Sequence, residues 1–138
     1  QPAFREFLPH LVPEMMLGTP LEEEYRKLAP NPDGFRALVE KLIALEHEPM
    51  AWEDDVKKLE VPVLIIAGDA DVATLEHTVA MFRLLGGGIM GDVGAPLPPS
   101  RLAILPATSH TAVINQPELL YAFIEPFLKG ETPKGMAF

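Results

Sequence analysis

An aspartate and a histidine, each placed just past a short apolar run, are the residues of this sequence best suited to chemistry. Asp71 follows the run Val61-Pro62-Val63-Leu64-Ile65-Ile66-Ala67, and His110 follows Leu102-Ala103-Ile104-Leu105. A carboxylate beside an imidazole holds the ring in one tautomer and stabilises its cation. The ring can then take a proton from a nucleophile and later return it to a leaving group. Taken singly, Asp71 reads as a loop carboxylate capping the helix that follows, and His110 as a loop residue bonded to backbone. Their matching placement is what favours a shared site.

The elements that must position this pair are legible nearby. Both apolar runs lack polar alternation, which suits strands buried on both faces of a parallel sheet. Between them, Leu75, Val79, Phe82 and Leu85 recur at helical spacing. A helix is therefore predicted over 75–85, capped by Thr74 and stopped by Gly86-Gly87-Gly88. The unit reads as strand, helix, strand, with residues 63–67 and 102–105 as parallel neighbours joined by a crossover. Asp71 and His110 then lie beyond the carboxyl ends of their strands, on the rim where open α/β sheets place their sites. They are expected within hydrogen-bond reach of each other or one water apart.

The Pro62-Val63-Leu64-Ile65-Ile66 run followed by Gly68 and Asp71 resembles the penultimate-strand signature of the α/β-hydrolase superfamily. Pro106-Ala107-Thr108-Ser109-His110 resembles the loop that delivers that family's histidine. In the family the triad runs in chain order nucleophile, acid, base, so the resemblance implies Asp71 as acid and His110 as base. It covers about 53–128, and more loosely 1–52, which resemble the end of a cap region. The departure is equally informative. The nucleophile elbow, Gly-x-Ser-x-Gly, is absent: Ser100 and Ser109 are the only serines and lack the elbow glycines, and there is no cysteine. Asp92 has Met90 where an aspartate elbow would need glycine. The resemblance thus implies the C-terminal portion of an ester- or amide-type hydrolase, carrying acid and base without nucleophile. It further implies an α/β fold with a short parallel sheet of two core strands flanked by helices, a small-molecule substrate in the intact protein, and no cofactor. The sequence begins at Gln1 rather than Met, so the natural N terminus is expected to lie upstream.

Composition bounds the alternatives. The 138 residues suffice for one domain with a core, and 48% hydrophobic residues argue against disorder. A formal net charge of −9 argues against nucleic acid and against docking on anionic membranes. No run approaches the length of a spanning helix. Without cysteine or a secretory signal, the cytoplasm is the default compartment. The chain divides on paper into a helical cap-like segment 1–50, a core portion 51–130 and a tail 131–138.

The N-terminal segment reads as broken turns punctuated by Pro2, Pro9 and Pro13, then two helices. Met15 and Met16 with aromatics suit plain packing better than a lipophilic pocket. Thr19, Pro20 and Glu22 form a capping-box start, and Asp33 can cap the next helix, whose stripe is Phe35, Leu38, Val39, Leu42 and Ile43. Residues 52–59 suggest a short helix with Val56 and Leu59 against the sheet. Asn115, Gln116, Pro117 and Glu118 suggest another capping-box start, for a helix over 116–128 with Pro126 in its last turn. His10 and His47 read as surface or packing residues, and His77, near the Asp71 loop, as a solvated helix residue in preference to a lining of the site. Asp69, Asp71 and Glu76 lack the spacing of a calcium loop, so no metal is expected. The Gly/Pro-rich stretch 86–100 reads as a flap over the site or as a plain surface insertion. Two strands leave an open edge and uncovered apolar stripes, so a partner is expected: a second copy in a homodimer, or the missing N-terminal portion. A non-catalytic, oligomerising remnant of the same fold stays the alternative to an enzyme.

Overall fold

The computed structural model describes residues 1–49, 51–91 and 97–131. The chain divides into two compact units, Pro2–Met50 and Ala51–Phe138.

In the first unit, α1 (Pro2–Phe7) and two short 3-10 turns at Leu8–His10 and Pro13–Met15 precede α2 (Pro20–Leu28) and α3 (Phe35–Glu46). The prolines explain the broken start, since each removes a backbone donor and fixes φ. The capping box expected at α2 forms differently. The Thr19 hydroxyl makes no cap and instead donates to the Met16 carbonyl at 2.7 Å. The Glu22 carboxylate reaches past Thr19 to accept from the Gly18 N–H at 2.7 Å. Asp33 likewise does not cap α3; it accepts from the Arg26 guanidinium at 3.0 Å, and Gly34 precedes the helix without a side-chain cap. In both cases a nearby donor or acceptor outcompetes the cap. Tyr25 and Phe35 pack tilted, with ring centroids 5.3 Å apart. Phe35 and Val39 are buried, whereas Leu38 and Leu42 on the same helix stay exposed. Phe4, Leu11, Met16 and Leu21, with Leu42 and Ile43, line an apolar groove of about 760 Å³ within this unit.

The second unit holds the sheet. α4 (Glu53–Val56) is shorter than the sequence suggests, and Leu59 beyond it is half exposed rather than packed on the sheet. β1 (Leu64–Ala70) and β2 (Arg101–Ser109) pair in parallel, from Leu64 opposite Arg101 to Gly68 opposite Leu105. α5 (Leu75–Leu84) connects them and packs on β1. Thr74 caps α5 as the sequence indicates, its side chain accepting from the His77 N–H at 3.1 Å. α6 (Pro117–Leu128) follows a 3-10 turn at Thr111–Asn115. The capping box expected from Asn115 and Glu118 does not form: Gln116 and not Asn115 occupies the cap position, and its side chain goes elsewhere. Pro126 lies inside α6, and Gly130, at φ 66°, ends it in the left-handed region that glycine adopts freely. The core of the unit is small. Among the described residues Ala67, Ala103 and Leu105 are its buried apolar ones, and the rest of the apolar run in β1 is only half-buried, because two strands offer little cover.

Candidate active site

Both strands run further than their apolar residues alone suggest, and the extension builds the site. β1 continues through Asp69 to Ala70, and β2 through Pro106 to Ser109. Gly68 lies opposite Leu105 and Ala70 opposite Ser109, so Asp69 alone faces Pro106, Ala107 and Thr108. β2 therefore bulges, and a bulge re-aims the side chains that follow it. Ala107 absorbs the turn at φ 50°, a left-handed conformation that costs a residue with a Cβ about 1–3 kcal/mol. Gly68 makes room for the bulge: a Cβ there would lie 1.9 Å from the Thr108 carbonyl oxygen.

Asp71 follows β1 and His110 follows β2. Asp71 Oδ1 lies 2.9 Å from His110 Nδ1. The carboxylate is 8% exposed, while the imidazole side chain stays 64% exposed. Asp71 Oδ1 also accepts from the Ala73 N–H at 3.3 Å, and Oδ2 from the Gly68 N–H at 3.4 Å. Burial opposes its ionisation. The hydrogen bonds from Ala73, His110 and Gly68 outweigh that opposition and hold the carboxyl below its ordinary range. An ionised carboxylate only accepts, so the shared proton sits on Nδ1, and Nε2 of the neutral ring is the nitrogen that can act as a base.

A second layer of contacts, not singled out from the sequence, surrounds the bulge. Thr108 is fully buried. Its hydroxyl donates to the Pro106 carbonyl at 2.9 Å and accepts from Gln116 Nε2 at 2.6 Å. Its N–H donates to Asp69 Oδ1 at 3.1 Å. Hydrogen bonds from the Ala107 and Thr108 N–H groups hold the Asp69 carboxyl below its ordinary value. The signal for these roles was faint: an acid two residues before Asp71, and a glutamine beside the expected cap residue Asn115.

The remaining candidates lie apart from this pair. Ser100 is buried at the other end of β2 and accepts from the Val63 N–H at 3.2 Å. Nine strand residues separate it from His110, roughly 25–30 Å at strand rise. Ser109 is exposed beside His110, and among the described residues no serine hydroxyl bonds to the His110 ring. His77 is exposed on α5, and His10 and His47 are exposed in the helical unit. Asp69 and Asp71 are engaged as above and Glu76 is exposed; among the described residues no acidic or histidine cluster is arranged to hold a metal ion. Part of the stretch 86–100, residues 92–96, lies outside the described residues, as do 132–138 of the tail. Among the described residues no helix is long and apolar enough to cross a membrane. No protein-family model, curated protein or solved structure matches this chain.

Proposed function

We propose that Asp71 and His110 are the acid and base of a nucleophile–His–Asp hydrolase of the α/β-hydrolase kind, acting on an ester or amide bond, with the nucleophile supplied from outside this sequence. The observation that carries the reading is the 2.9 Å contact between a buried carboxylate and Nδ1 of an exposed imidazole, at the same rim of two parallel strands. Asp71 keeps the ring in the tautomer whose Nε2 is free and stabilises the cation formed when Nε2 takes the nucleophile's proton. His110 then returns that proton to the leaving group.

The test is esterase activity on p-nitrophenyl acetate by the protein extended with whatever its gene encodes before Gln1. The extended protein is expected to carry a Gly-x-Ser-x-Gly elbow and to lose about 10⁴-fold in kcat on Asp71→Asn, the scale seen when a triad acid is neutralised. The 138-residue chain is expected to do no better than its His110→Ala variant. An extended protein with no nucleophile elbow, or activity indifferent to Asp71 and His110, overturns the reading.

A second reading rests on a different observation. Among the described residues the sheet has two strands and hence two open edges, and Leu119 and Phe123 on α6 remain exposed. Open edges recruit further strands. These features support an oligomerising module in which a second copy of the chain pairs along the sheet, with or without catalysis.

A further inference from the structure

Asp69 stands opposite the whole bulge of β2. Within that bulge Pro106 has no N–H to give, and the Ala107 and Thr108 N–H groups have lost their regular ladder positions. A buried or half-buried N–H without an acceptor is costly, and the chain around Ala107 is already in a strained conformation. The Asp69 carboxylate takes the Thr108 N–H at 3.1 Å. It does so from the strand that carries Asp71, two residues away, so it ties the histidine-bearing bulge to the acid-bearing strand. From the other side, Gln116 holds the Thr108 hydroxyl at 2.6 Å. Thr108 is thereby clamped two residues before His110, and the ring has little choice of where to leave the strand.

We propose that Asp69 is a positioning residue for His110: by binding the backbone of the β2 bulge it sets the direction in which the imidazole presents Nδ1 to Asp71. This rests on the reading of His110 as the base, but it concerns geometry and not turnover.

The test uses the full 138-residue chain and needs no substrate. The readout is the His110 Nδ1–H proton, observed by NMR as a downfield resonance with its ring ¹⁵N shifts reporting the tautomer. In the unsubstituted chain this proton is expected to be present, with the ring ¹⁵N shifts of the Nδ1–H tautomer. Asp69→Ala is expected to abolish it and to leave a mixture of tautomers. Asp69→Asn, which keeps the acceptor oxygen and loses the charge, is expected to shift it part of the way. Ser100→Ala weakens the same sheet at its far end and is expected to leave the resonance in place, which separates positioning from general loosening. An unchanged resonance in a folded Asp69→Ala or Asp69→Asn chain overturns the proposal, as does its loss in Ser100→Ala. Should Asp69→Ala not fold, the Asn variant alone decides. If these shifts follow expectation while the extended protein shows no hydrolysis, the hydrolase reading fails and the positioning role stands.

Discussion

Substituting Gly68 by alanine puts the site geometry to its most direct test. Gly68 is not among the glycines at positive φ, so alanine brings no backbone strain of its own and would by chain entropy alone stabilise by about 0.4–1 kcal/mol. Against this stands the new Cβ, 1.9 Å from the Thr108 carbonyl oxygen and 2.6 Å from its carbon. Both are backbone atoms, so no side chain can swing aside. Restoring ordinary contact requires the bulge to retreat by roughly 1.5 Å, an overpacking that costs about 1–3 kcal/mol. A shift of that size also breaks the Thr108–Asp69 and Gln116–Thr108 hydrogen bonds, at about 1 kcal/mol each. The steric and hydrogen-bond costs outweigh the entropic gain, for a net loss of about 2–5 kcal/mol, which is a large part of an ordinary domain's stability. Urea denaturation followed by circular dichroism measures the loss, and the His110 Nδ1–H resonance reports whether the ring still meets Asp71. A Gly68→Ala chain within 0.5 kcal/mol of the parent, with that resonance intact, would refute the tight approach of the two strands and with it the account of the bulge.

Leu105 is 1% exposed in a small core, so Leu105→Ala is expected to cost about 2–5 kcal/mol in the same assay; a loss under about 1 kcal/mol would mean that the sheet is not the stabilising centre of its unit. The Asp71 carboxyl is held below its ordinary value, so on acidification the unfolded chain takes up that proton before the folded chain does. Its contribution is thus present above about pH 4 and lost as pH falls through the lower folded-state value. Urea midpoints measured downward from pH 5 should fall more steeply for the parent than for Asp71→Asn, and parallel curves would contradict the assignment. Light scattering at micromolar concentration is expected to give twice the chain mass if a second copy pairs along the sheet; a cooperatively melting monomer would dismiss that partner.

Much of this molecule is local, and the sequence by itself determined it. Apolar runs without alternation, separated by a stripe at helical spacing, specify strand, helix, strand, because residue period and element type are coupled within a few residues. Thr74 begins α5 and Gly130 ends α6 for reasons contained in one turn of chain. The offsets of Asp71 and His110 from their strands placed them at one rim once the strands were parallel. Tertiary structure decided where polar groups found partners. The Asp69 carboxylate takes the Thr108 N–H from 39 residues away, Gln116 bonds to Thr108 and not to its own helix, and Asp33 bonds to Arg26 in place of capping α3. Ser100, beside a strand, sits at the end away from His110. The bulge opposite Asp69 and the Gly68 approach that permits it exist only when β1 lies against β2. The physical reason is common to these cases. Hydrophobic periodicity is read along the chain, whereas a hydrogen bond goes to whichever acceptor the fold brings within about 3 Å, and that neighbour can be dozens of residues away.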